Sequence, residues 1–134
     1  MKIRNLFSEF FLSIDFKLKG SENSEYFGDF YDSYTNGYLI FRLVSDRSII
    51  SIDISIDMQN WYDLALVKSL MYNETNINYI TNIEESIKFL QNEFANITEL
   101  FNDVNFFITK TKLEKLANER AKQMFPDAFQ IIRP

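Results

Sequence analysis

The sequence contains no cysteine and no histidine, and only three of its 134 residues are glycine. Without cysteine, the chain has no disulfide bond, zinc ribbon, iron–sulfur site or thiol nucleophile. Without histidine, it has no Ser-His-Asp triad and lacks the commonest metal ligand and general base. Three glycines are too few for a phosphate-binding loop, which needs several. These absences predict a protein that is not an enzyme and that has no catalytic residue, metal or cofactor.

Long apolar runs are also missing. No segment approaches the roughly 18 uncharged apolar residues of a membrane-spanning helix. Glu9 interrupts the apolar residues near the N-terminus, so we expect no secretory signal. The length and the 46% hydrophobic content suit one domain over residues 1–134, because domains usually run to roughly 100–200 residues. We therefore predict a cytoplasmic protein of one domain that does not bind a membrane.

Charge is unevenly distributed along the chain, whose net charge is −5. Residues 60–104 carry seven acidic and two basic side chains, whereas residues 105–134 carry six basic and three acidic ones. An acidic body disfavours nucleic acid, whose phosphates bind clustered Lys and Arg. It suits a cationic protein partner, although modest negative charge also simply keeps a domain soluble. The basic last helix predicts a solvated face, with pairing of Arg120 to a carboxylate as an alternative.

Hydrophobic periodicity indicates strands in the first half of the chain. After a short helix over the first ten residues, apolar and polar residues alternate from Phe11 to Lys19, which predicts a strand. Residues 20–25 are small and polar, which predicts a loop. Asn36-Gly37 is a strong hairpin signal, since both residue types tolerate positive φ. We place the next turn at residues 45–48.

The two turns set the register of three strands. A two-residue loop at Asn36-Gly37 pairs Thr35 with Tyr38, and the second turn pairs Val44 with Ile49. Both pairings place the same apolar set on one face of the sheet, which a slip of one residue would disrupt. That inner face carries Leu39, Phe41, Leu43, Ile50, Ile52 and Ile54.

Helical periodicity follows the strands. Asn60 is expected to cap a helix that contains Trp61, and Trp61 is expected to pack where the sheet meets the helices. Thr81 or Asn82 begins a capping box before a long amphipathic helix, and a third helix should run from about Asn105 to Met124. The predicted fold is α+β: a short N-terminal helix, an antiparallel β-meander of three to four strands, and three helices packed on one face.

The outer face of the predicted sheet mixes aromatic and charged side chains. Tyr31 lies opposite Arg42, an arrangement that is either a binding hot spot or an ordinary cross-strand contact. The carboxylates around the sheet do not converge, so they are expected to be solvated rather than catalytic or metal-binding. The candidate contact residues for a protein partner are Asp29, Tyr31, Tyr38, Arg42 and Asp53.

The order of short motifs along the chain resembles that of a known group of proteins. A strand ends in Asp46-Arg47, the next contains Ile52-Asp53-Ile54, a helix begins at Trp61-Tyr62-Asp63-Leu64, and a basic helix ends in residues 120–126. This order resembles small bacterial cytosolic immunity-type or otherwise uncharacterised α+β proteins encoded near toxin genes. The resemblance implies a stoichiometric inhibitor that binds a toxin domain, but it transfers no functional residue because immunity surfaces differ between partners.

Two functions follow as expectations. The first is an immunity protein that neutralises a cognate toxin domain. That toxin domain would be basic if the acidic surface of this chain attracts it electrostatically. The second is a structural or assembly subunit that forms a homodimer through the exposed sheet face. The partner in either case is a protein, and the chain is a monomer or a homodimer.

Overall fold

Five strands and four helices make up the described part of the chain. The computed structural model describes residues 2–23, 28–47, 49–74 and 82–125. In chain order the elements are α1 (Lys2–Ser13), β1 (Lys17–Asn23), β2 (Phe30–Thr35), β3 (Ile40–Asp46), β4 (Ile49–Ser55), β5 (Tyr62–Asp63), α2 (Leu64–Tyr72), α3 (Ile83–Leu100) and α4 (Phe106–Met124).

The strands form one antiparallel meander in the order β1-β2-β3-β4-β5. The predicted α+β class and its antiparallel sheet are confirmed. The sheet has one strand more than expected, because Tyr62–Asp63 adds a short edge strand beside Asp53–Ile54.

The N-terminal helix is longer than predicted, and the strand that we predicted from Phe11 begins only at Lys17. Phe7 and Phe11, four residues apart, are fully buried, so α1 continues beyond them. It ends where Asp15 adopts a left-handed φ of 66° and the Phe16 N–H donates to the Phe11 carbonyl at 3.0 Å. Strand β1 therefore begins at Lys17 and includes residues 20–23, which we had assigned to a loop.

Both predicted hairpin registers are wrong by two residues. Thr35 pairs with Ile40 instead of Tyr38, and Asp46 instead of Val44 pairs with Ile49. Because side chains alternate with a period of two, this shift leaves each strand residue on its predicted face. The residues that we predicted for the inner face therefore remain on it: Leu39, Phe41, Leu43, Ile52 and Ile54 are buried, and Ile50 is half-buried.

Capping side chains define where two helices begin. The carboxylate of Asp63 accepts a hydrogen bond from the Ala65 N–H at 3.0 Å, so α2 begins after Asp63 and the predicted cap at Asn60 is wrong. Asn82 caps α3 as predicted, by accepting hydrogen bonds from the amides of Glu84 and Glu85. The other predicted cap, Thr81, lies outside the described residues.

Phenylalanine rings fill the space between the inner face of the sheet and helices α1 and α3. Phe11 lies 4.9 Å from Phe41 and 6.5 Å from Phe94 between ring centroids. The α3 stripe points into the same core, as its spacing predicted, with four members buried and two partly buried: Ile83, Ile87, Leu90, Phe94, Ile97 and Phe101. The inner face is thus closed by helices, so a binding site on the sheet would lie on its outer face.

Candidate partner-binding site on the outer face of the sheet

A row of polar side chains crosses the outer face. The strand pairing places Ser33 opposite Arg42, Arg42 opposite Asp53, and Asp53 opposite Asp63. Directly opposed residues point to the same side of a sheet, so these four side chains form one line across β2 to β5. Asp53 and Asp63 are thereby neighbours, a pair that the sequence did not lead us to expect.

Arg42 is held between a carboxylate and an aromatic ring. Its Nη2 donates to Asp53 Oδ2 at 3.2 Å, and its guanidinium carbon lies 3.9 Å from the centroid of the Trp61 ring. Its Nε is buried and has no hydrogen-bond partner among the described residues. Cation–π stacking on Trp61 and the Asp53 ion pair therefore fix the position of this guanidinium.

Trp61 is placed differently from the prediction. It is half-buried and stacks on Arg42 instead of packing in the core between the sheet and the helices. The spacing of Trp61 and Asp63 could have indicated this placement. Residues two apart in an extended segment, such as the one that includes β5, share one side.

A second ion pair joins the sheet to the last helix. Arg120 Nη1 donates to Asp63 Oδ2 at 2.9 Å, and both side chains are at least four-fifths buried. The other oxygen of Asp63 caps α2. The pairing of Arg120 with a carboxylate, one of our two alternatives, is confirmed, and α4 therefore borders the outer face instead of lying wholly on the inner side.

The sheet, the Trp61 segment and α4 enclose a cleft of about 550 Å³, which we call the outer-face cleft. Apolar groups line its walls, and charged groups lie among them. Its lining residues are Val44, Asp46, Ile49, Ser51, Asp53, Trp61, Tyr62, Asp63, Leu66, Leu113, Glu114, Ala117 and Arg120. A preformed concavity with apolar walls and a few polar groups is the usual form of a binding site.

The charges of the cleft are only partly balanced. Arg42 neutralises Asp53, and Arg120 neutralises Asp63. Asp46 and Glu114 form no ion pair with any described residue. Burial raises the pKa of Asp53 above its ordinary value, and Arg42 opposes this increase. The cleft therefore presents net negative charge.

Three of the five predicted contact residues lie on the outer face as predicted: Tyr31, Arg42 and Asp53. Tyr31 pairs across the strands with Val44 and Glu22, not with Arg42. A hydrogen bond with Glu22 raises the pKa of Tyr31. Tyr31 also lines a smaller groove of about 270 Å³, which shares Val44 and Asp46 with the outer-face cleft.

The other two predicted residues, Asp29 and Tyr38, lie outside the strands, and the placement of Tyr38 on the outer face is wrong. Asp29 precedes β2, and its carboxylate accepts a hydrogen bond from the Arg47 N–H at 2.9 Å, although it also lines the smaller groove. Tyr38 lies in the turn before β3, and its hydroxyl donates to the Phe101 carbonyl at 2.6 Å at the end of α3. Both side chains thus hold turns in place.

The described ranges contain neither a metal-binding cluster nor a membrane-spanning helix. Within them, no group of three or more acidic side chains is arranged to hold a metal ion. None of the described helices is both long and apolar enough to cross a membrane. No protein-family model, curated protein or solved structure was found to match this chain. The resemblance to immunity-type proteins therefore stays a prediction, and the geometry of the outer face has to carry any proposal about function.

Proposed function

We propose that this chain is a non-catalytic cytoplasmic binding protein of the immunity type, which neutralises a basic bacterial toxin domain by binding it at the outer face. The observation that carries the proposal is the outer-face cleft, with apolar walls and the carboxylates Asp46 and Glu114, which form no ion pair with any described residue. A surface of this kind complements a partner that presents basic side chains.

The rigidity of the cleft supports a binding role. Asp63 pairs with Arg120 and caps α2, while Arg42 is fixed by Asp53 and Trp61. A preorganised surface loses little conformational entropy when it binds, which favours a tight inhibitor. Net negative charge would also accelerate the encounter with a basic partner.

The chemistry of the cleft favours binding over catalysis. Asp53 and Asp63 are engaged with arginines, and neither carboxylate hydrogen-bonds a serine hydroxyl or a lysine amine of the described residues. A general base instead needs a carboxylate within reach of the proton that it removes. We therefore assign these carboxylates to the scaffold of the site.

The test begins with the genes beside the one that encodes this chain. Where a neighbour encodes a secreted multidomain toxin, its terminal domain is produced in a bacterial host with and without this chain. We expect growth arrest by the toxin domain alone, and normal growth when both are present. Direct titration of the purified pair should give one complex of equal stoichiometry.

Matched variants locate the interface in that assay. Asp46→Lys should weaken the complex by about tenfold or more, because it places a cation opposite a basic partner. Glu9→Lys makes the same charge change on the exposed side of α1 and should have little effect. A metabolic operon around the gene, or a neighbouring toxin that the chain does not inhibit, would overturn the proposal.

A second candidate function is the homodimeric assembly subunit. It is favoured by an exposed apolar patch at the start of α4, formed by Val104, Phe107 and Ile108, which are 85%, 77% and 57% exposed. Exposed apolar patches often mark protein–protein contacts. This patch is separate from the sheet face through which we had expected a dimer.

A further inference from the structure

The outer-face cleft has the chemistry of a receptor for one basic side chain. Val44, Leu66, Leu113 and Ala117 supply apolar walls, and Asp46 and Glu114 supply negative charge without an ion-pair partner among the described residues. Arginine and lysine combine an aliphatic stem with a cationic head, so they bury the stem against apolar surface and keep the head beside polar groups.

The two internal ion pairs decide which charge the ligand carries. Arg42 and Arg120 are both occupied by carboxylates of the sheet, at 3.2 Å and 2.9 Å. An anionic ligand would have to compete with Asp53 or Asp63 for these guanidinium groups and would meet Asp46 and Glu114 besides. A cationic ligand displaces neither of these two ion pairs and can form new ones with Asp46 and Glu114.

We propose that the outer-face cleft accepts a single arginine or lysine side chain of the bound protein, with its stem along the apolar wall and its cationic head between Asp46 and Glu114. This inference rests on the proposed function, since it identifies the anchor residue of the same complex. This side chain of the partner would then be the central hot spot of the interface, because residues that fill desolvated pockets often dominate the binding energy.

Trp61 makes the proposal directly measurable. It is the only tryptophan of the chain, and it lines the cleft. Its fluorescence therefore reports on occupation of the cleft without any label. The probes are the acetyl-methylamide derivatives of arginine and lysine, with the citrulline and norleucine derivatives as neutral counterparts of similar shape.

We expect the arginine or lysine derivative to change the Trp61 fluorescence saturably, and the neutral derivatives to have no such effect. Asp46→Asn combined with Glu114→Gln should weaken this binding by about fivefold, since each exposed charge pair contributes modestly. Both side chains are exposed and form no hydrogen bond with a described residue, so the variant should fold, which circular dichroism verifies. The matched control is Glu9→Gln combined with Glu99→Gln, which removes the same charge from exposed positions on α1 and α3.

The possible results separate this inference from the proposed function. Equal responses to charged and neutral derivatives, no saturable response, or unchanged affinity in the Asp46→Asn/Glu114→Gln variant would overturn the basic-side-chain site. A toxin domain that binds this double variant as tightly as it binds the wild type would also overturn it, while leaving the immunity function in place. Selective binding of the charged derivatives would support the site even if no toxin were neutralised.

Discussion

Arg4 and Asp32 form the most extensive side-chain network of the described chain. Asp32 accepts hydrogen bonds from Arg4 Nε at 2.7 Å and from Arg4 Nη2 at 2.6 Å, and its Oδ1 also accepts from the Ser21 hydroxyl at 2.6 Å. Burial acts to raise the pKa of Asp32, but the bonds from Arg4 and Ser21 and the Arg4 charge outweigh it, so the pKa is lowered. The ionised Arg4–Asp32 pair thus links α1 to the sheet.

Replacing this carboxylate tests the network through its pH dependence. Asp32→Asn should reduce the free energy of unfolding at neutral pH by about 2–3 kcal/mol, because a largely buried, bidentate partner of Arg4 is lost. The folded pKa of Asp32 lies below its unfolded value of about 3.9, so its stabilisation is full above that value and is lost as the pH falls through the folded pKa.

Urea unfolding of both proteins over a series of pH values measures this difference. The gap between wild type and Asp32→Asn should be constant near neutrality and should narrow in acid, below about pH 4. Glu9→Gln, on the exposed side of the same helix, should leave the free energy of unfolding nearly unchanged. A gap that did not depend on pH would show that the ionised pair is not its source.

The partners in long-range side-chain pairs of this type could not be predicted from the sequence, even where pairing of Arg120 with some carboxylate was an expected alternative. Arg4 and Asp32 are 28 residues apart, and Arg120 and Asp63 are 57 apart. Periodicity assigns a residue to a face, but it does not say which element crosses that face. It was enough to place Tyr31, Arg42 and Asp53 on the outer face, while the cleft itself depends on how α4 packs beside β5.

At the scale of elements, repeating patterns were predictable and turns were not. Helix α3 was predicted correctly because its apolar stripe and the Asn82 cap agree. Both hairpins were predicted two residues out of register, since a shift of two preserves the alternation on which the prediction relied. The Asn36 side chain decides the first hairpin by accepting hydrogen bonds from the amides of Tyr38 and Leu39, which makes a longer loop.

The glycine of this loop provides a conformational test. Gly37 has a φ of +96°, and an added Cβ would meet no atom within 4 Å. Gly37→Ala should therefore lower the free energy of unfolding by about 1 kcal/mol through backbone strain alone. Gly20→Ala is the matched control, because it also has open space but lies in β1 without a positive φ, and it should be close to neutral. Equal losses in thermal unfolding for both variants would contradict this reason.

At the scale of the molecule, the basic last helix and the acidic sheet meet at one place. The segment 105–134, in which basic side chains outnumber acidic ones, contributes Arg120, which neutralises Asp63, and also Glu114, which faces the cleft. The sheet edge and α4 are therefore both needed for the cleft. A charge pattern that divides the sequence into acidic and basic parts thus becomes, after folding, an acidic concavity bordered by a mainly basic helix.

This distribution also bears on self-association. Two copies that met through the outer face would bring Asp46 and Glu114 of each copy towards the same carboxylates of the other, and like charges repel. We therefore expect light scattering after size-exclusion chromatography to give the mass of one chain at low micromolar concentration. A dimer in that measurement would favour the assembly function, and two variants would then locate its interface. Phe107→Asp would dissociate a dimer held by the α4 patch, whereas Asp46→Lys would affect only one held through the sheet face.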